Sequence, residues 1–134
     1  MIRMMFACLL VCAAVPFAPR ASASDESFPF GSDLMLDAEP MRGSKRVPII
    51  EIEENGSATI DLWCSSAHAD ATVGDDSITI VPGPPQESAA CTSERADSDQ
   101  SLLAALALVT KWRRQGEVIE LTGPTTLRFR LMTN

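Results

Sequence analysis

The chain has 134 residues, with eleven basic and eighteen acidic side chains and a net charge of −7 at pH 7. This length suits one domain once a leader is removed. An acidic balance without a basic, aromatic-interleaved patch argues against nucleic acid as a partner, because like charge repels the phosphate backbone.

The first 23 residues read as a cleaved leader. Arg3 precedes an apolar run from Met4 to Val15 that breaks at Pro16, and Ala21-Ser22-Ala23 supplies the small-x-small pattern a signal peptidase accepts. Cleavage is expected after Ala23, with Ser24 as the new N-terminus. The run is too short to span a bilayer, which takes about 20 apolar residues. Cys8 and Cys12 do not sit where a lipidated cysteine belongs, so a stable membrane anchor is not expected after cleavage. Removing 23 of the 134 residues leaves 111, and with Arg3 and Arg20 gone nine basic residues face eighteen acidic ones. The processed protein is expected in the periplasm or outside the cell, where such a charge serves solubility.

Cys64 and Cys91 are the cysteines that remain after cleavage. In an oxidising compartment an even pair reads as a disulfide. It would close a loop of 28 residues, worth about 3.6 kcal/mol on the chain-entropy account. No C-x-x-C redox motif is present, and two cysteines with a single histidine make a poor zinc site.

Residues 24–46 read as an N-terminal extension ending in a loop from Pro40 to Arg46, with Phe28, Phe30 and Leu34–Leu36 able to dock. From Val47 the pattern has period two: Ile50 and Ile52 share one face, Glu51 and Glu53 the other. Asn55-Gly56 predicts a hairpin with a type I′ turn, followed by alternating Ala58, Ile60 and Leu62. A second hairpin is expected at Gly74-Asp75-Asp76, between Thr72-Val73 and Ser77–Val81. Pro82-Gly83-Pro84-Pro85 then stops the strand. A helix is expected from Asp97 or Ser98 to Gly116, with Leu102, Leu106 and Val109 on one stripe, Leu108 and Trp112 beside it, and Lys111, Arg113 and Arg114 in its last turn. Two closing strands flank Gly123-Pro124. The fold class is α+β, a compact antiparallel sheet with one helix.

Catalytic signals are sparse. His68, the single histidine, is the one base a Ser-His-Asp site could use, yet no nucleophile-elbow motif accompanies it. It stands in a polar stretch and reads as a solvated loop residue. Asp75-Asp76 lacks the spaced carboxylates of a calcium loop. No catalytic residue, metal ligand or cofactor is expected. Of five phenylalanines, Phe6 and Phe17 leave with the leader, which speaks against a large aromatic-lined pocket.

The order of features resembles the META/HslJ-like domain. The matching stretches are Ile60-Asp61-Leu62-Trp63-Cys64, Ser77-Ile78-Thr79-Ile80, Ser88-Ala89-Ala90-Cys91, Leu102-Leu103-Ala104-Ala105-Leu106 and Thr126-Leu127-Arg128-Phe129. Trp63-Cys64-Ser65 stands where the family usually shows Gly-Cys-Asn, and Leu34–Leu36 or Phe28 takes the place of an N-terminal Trp-containing strand. The resemblance spans 47–134 and implies a barrel-like antiparallel fold around one helix in exported bacterial proteins. Some members are linked to heat shock or antibiotic tolerance, and no general enzymatic activity attaches to the family. The expected role is therefore non-enzymatic binding in the envelope, to an envelope protein or a small ligand. The rivals are a carrier of a small apolar ligand in a cavity between sheet and helix, and a hydrolase built on His68. Denaturing mass spectrometry of the exported protein should give a mass that begins at Ser24 and lies two hydrogens below the reduced value. A precursor-length or lipid-bearing mass would contradict both the cleavage and the soluble form.

Overall fold

The computed structural model describes residues 26–86 and 91–133. The cleavage residues Ala21, Ala23 and Ser24, and the Ser88-Ala89-Ala90 stretch, lie outside the described residues. The elements in chain order are β1 (Leu34–Leu36), β2 (Ile49–Ile52), β3 (Ser57–Asp61), β4 (Ser66–Val73), β5 (Ile78–Pro82), α1 (Ser93–Ala107), β6 (Lys111–Gln115), β7 (Val118–Thr122) and β8 (Thr126–Leu131). The strands form one antiparallel sheet in the order β5-β4-β3-β2-β1-β8-β7-β6. The two outer strands meet at a single bridge, Ser77 to Lys111, so the sheet curls into a nearly closed barrel. This is the α+β, barrel-like class expected from the sequence.

Alternation decides which side chains fill the interior. Leu34, Ile50, Ile52, Ile60, Ile78, Ile80, Ile119, Leu121 and Phe129 point inward and are almost wholly buried. Helix α1 packs against β5 and adds Leu102, Leu103 and Leu106 to the same core. On the outer face of β6–β8, Arg113 pairs with Glu120 at 2.6 Å, and Asp37 lies 3.7 and 3.4 Å from Arg128 and Arg130. Exposed pairs of this kind contribute little, about 0–1 kcal/mol each.

Four expectations need correction. The helix is capped by Thr92, whose hydroxyl accepts from the Arg95 N–H at 3.3 Å, and it ends at Ala107. Lys111–Gln115 is a strand: Lys111, Arg113 and Gln115 project outward, Trp112 is buried, and β7 pairs along the whole length. Sheet pairing outweighs the modest helical preference of that run. The basic residues therefore do not cap the helix, and Leu108 is exposed. Second, His68 lies in a strand, because Ala67, Ala69 and Ala71 alternate inward along β4. Third, the sheet begins upstream of Val47, since β1 sits between β2 and β8 near its middle.

The fourth concerns the first hairpin. It falls at Asn55-Gly56, but Gly56 alone takes positive φ (+89°), so the turn is not type I′. The Gly56 N–H donates to the Glu53 carbonyl at 3.0 Å, the Glu53 N–H to the Ser57 carbonyl at 2.8 Å, and the Ser57 N–H to Asn55 Oδ1 at 2.8 Å. Those bonds define a three-residue loop with glycine in the left-handed position.

Glu51, Glu53 and Asp33 crowd together on the outer side of this hairpin. The hydrogen bond Glu51 shares with Glu53 holds its carboxyl above the ordinary value of 4.5, with partial burial, a bond to Asp33 and repulsion from both acting the same way. A raised carboxyl means the folded state takes up a proton more readily than the unfolded chain. The stability tied to it is fully present below 4.5 and is lost as pH rises through the folded value. Glu51→Gln should therefore raise the melting temperature at pH 7, with the gain shrinking as pH falls toward 4.5 and largely gone below it. Thermal melts across that range check this, and a gain independent of pH would contradict it.

Candidate functional site

Two polar constellations stand out. The first is a junction between helix and sheet. The chain turns between β3 and β4 at Trp63-Cys64-Ser65, and Asp99, on the first half of α1, points into that corner. Asp99 is 2 % exposed. Its Oδ1 accepts the Trp63 N–H at 2.8 Å; its Oδ2 accepts the Ser65 N–H at 2.9 Å, the Ser65 hydroxyl at 2.7 Å and the Cys64 N–H at 3.3 Å. Three successive N–H groups converging on one carboxylate form a small anion-binding concavity, filled here by the protein's own side chain. Burial of the charge is tolerable because the oxygens are so fully bonded.

Cys64 and Cys91 are joined as a disulfide, with Cα atoms 5.3 Å apart, inside the usual range. The bond ties the same corner to the segment leading into α1. Cys64 Sγ lies 3.2 Å from Asp99 Oδ2; a disulfide sulfur carries no proton, so this is a contact and not a hydrogen bond. Cys64, Cys91 and Asp99 lie close enough to share a metal ion, but the sulfurs bond each other and the carboxylate is committed to its four donors. The site is structural.

The second constellation opens where the barrel fails to close. The Ile78 N–H donates to the Thr110 carbonyl at 3.1 Å and the Trp112 N–H to the Asp76 carbonyl at 3.0 Å. Beyond these bonds β6 and the β4–β5 hairpin part. The resulting cleft holds about 760 Å³, and Phe28, Phe30, Trp112, Asp75, Asp76 and Arg114 are among its lining residues. Phe28 stands edge-on to Trp112 at 5.1 Å and tilted to Phe30 at 4.9 Å, making an aromatic trough. Trp112 is oriented by its indole N–H, which donates to the Gly74 carbonyl at 2.8 Å. Acidic Asp75-Asp76 form one lip, and Arg113-Arg114 stand on the other side.

Sequence reasoning missed this cleft. It spoke against a large aromatic-lined pocket, yet three aromatic rings from two distant segments meet here. Placing Trp112 on a helix also hid its proximity to Gly74. Asp99 was missed as well; a lone aspartate on a polar helix face gives no local sign of burial. His68 lies on the exposed face of β4, opposite Thr59, and does not line the cleft.

A family model for the META domain matches residues 33–133. The match covers more than half of the chain, and the chain belongs to the META-domain family. Searches of curated proteins and of solved structures returned no match. The family match begins just before β1, in agreement with the place of that strand in the sheet.

Asp99→Asn keeps one acceptor oxygen and turns an amide toward N–H donors. It should cost about 2–4 kcal/mol by leaving buried donors unpaired, whereas Ser65→Ala, which removes one donor, should cost about 1–2. Urea denaturation with the disulfide intact measures both. A loss under about 0.5 kcal/mol for Asp99→Asn, the range of an ordinary surface change, would remove Asp99 from this role.

Proposed function

We propose that this META-domain chain is an exported, non-enzymatic binding domain of the bacterial envelope, and that the cleft at the barrel seam is its binding surface. The leader motif supports export to the periplasm or beyond. The cleft carries the binding reading: at about 760 Å³ it falls within the roughly 300–1,000 Å³ of small-ligand sites, and it combines an aromatic floor with a few placed charges. What the resemblance implies for the family, links to heat shock and antibiotic tolerance, makes envelope stress the setting in which to seek its partner.

The aromatic trough also favours a second reading, a carrier of a small apolar ligand, held in this external cleft and not inside the barrel. A hydrolase using His68 is the rival of a different class. Its base would have to act from the outer face of β4, away from the cleft.

Titration with 8-anilino-1-naphthalenesulfonate, which pairs aromatic rings with an anion, should give a saturable fluorescence rise. Phe30→Ala should weaken it about fivefold or more, and His68→Ala should leave it unchanged. Equal response in Phe30→Ala, with its melting temperature retained, would remove the cleft as the site. Turnover of p-nitrophenyl acetate abolished by His68→Ala would replace the binding reading with the enzymatic one.

A further inference from the structure

We propose that the seam cleft accepts an extended peptide from another protein, added as a strand along the open edge of β6. The inference rests on the cleft being the binding surface and names its ligand class.

In an antiparallel ladder, successive residues turn their N–H and C=O alternately toward one neighbour and the other. Trp112 donates its N–H across the seam to Asp76, so its backbone faces away from β7. Arg114, two residues further along the same strand, faces the same way. Past the Trp112–Asp76 bond, no further backbone bond joins the hairpin carrying Asp75 and Asp76 to β6 among the described residues. The Trp112 carbonyl and the Arg114 N–H and C=O are left on an open edge, with no backbone partner outside the β-ladder among the described residues. Unpaired edges of this kind are templates for a further strand.

The N-terminal segment already touches this strand without forming a ladder with it. Arg114 Nη1 donates to the Ser27 carbonyl at 3.1 Å, and the Gly116 N–H donates to Glu26 Oε2 at 2.6 Å. These contacts show that chain can run beside β6 while using side-chain and turn groups, which leaves the Arg114 backbone groups unused. Gly116, with φ +61°, makes the tight turn that ends the edge.

Side-chain preferences follow from the walls. Alternate residues of an added strand face the trough of Phe28, Phe30 and Trp112, which suits an aromatic or aliphatic side chain. Asp75 and Asp76 on the lip suit a basic residue, and the acidic chain as a whole draws basic peptides toward it. A small apolar ligand would use the trough and ignore the edge. The backbone groups therefore separate the two ligand classes.

The probe is acetyl-Lys-Val-Phe-Val-Lys-amide, followed by amide NMR and hydrogen exchange on the full processed chain. Two isomers, N-methylated at alternate positions in opposite phase, are compared with it. An added strand uses only every other N–H, so one isomer should bind about tenfold or more weakly and the other should keep most of its affinity. Exchange at the Arg114 amide should slow on binding of the parent peptide. Binding of both isomers alike, or no slowing at Arg114, would overturn strand addition while leaving a side-chain-driven cleft site intact. If the peptide does not bind but anilinonaphthalenesulfonate does, the cleft takes small molecules and this inference fails alone. If neither shifts the cleft resonances, the binding surface fails with it.

Discussion

The buried carboxylate of Asp99 sets the relation of helix to sheet. The chain must reverse between β3 and β4 at Trp63-Cys64-Ser65, and a reversal inside a packed domain leaves consecutive N–H groups without strand partners. Asp99 collects three of them together with the Ser65 hydroxyl. Because those donors belong to the turn between β3 and β4 and the acceptor to α1, the register of the helix over the barrel becomes a hydrogen-bonding requirement. Apolar packing of Leu102, Leu103 and Leu106 alone would tolerate some sliding, since hydrophobic contact is not directional. The Cys64–Cys91 bond holds the same corner covalently, so one short stretch of chain is secured by two independent means. Ser65 also supplies a side-chain donor to the carboxylate.

Placing the helix in this way also shapes the seam. Helix α1 follows β5 in the chain and leads into β6 through Leu108, Val109 and Thr110, so the position of the helix limits how β6 returns to the sheet. The bond from Ile78 to Thr110 and the two bonds from Trp112 to Asp76 and Gly74 bring the outer strands together at one point. Beyond that point they diverge, and Phe28 from the N-terminal segment packs against Trp112. A fully closed barrel would have no edge to offer. The incomplete closure leaves backbone groups and aromatic faces side by side, next to acidic residues on one lip and basic residues on the other.

Much of this fold is legible in the sequence because burial imposes a local period. Ile50 and Ile52 against Glu51, and Phe129 between Arg128 and Arg130, mark strands whose inner and outer faces the structure reproduces. Gly56, Gly74 and the Gly123-Pro124 pair mark three of the turns in the right places, although only Gly56 of its pair takes positive φ. Cys64 and Cys91 read as a pair in the sequence, and the structure joins them. Where local pattern and tertiary demand diverged, the reading failed. Val109 and Trp112 fit a helical stripe and also fit the buried face of a strand entered from a short link, and only β7 as a partner decides between them. Ala67, Ala69 and Ala71 alternate correctly, but alanine is a weak strand signal, so β4 was seen only at its end.

By itself, then, the sequence determined the strand periodicity, the turn positions, the cysteine pair and the family resemblance, because each rests on neighbours within a few residues or on a spacing that survives without coordinates. Only the tertiary structure decided that Leu34–Leu36 sits near the middle of the sheet, that Lys111–Gln115 is a strand, that Asp99 is buried in a nest of amides, and that Phe28, Phe30 and Trp112 share one cleft. Each of these depends on groups tens of residues apart being brought within hydrogen-bond or van der Waals distance, and the pattern along a chain carries no measure of that distance.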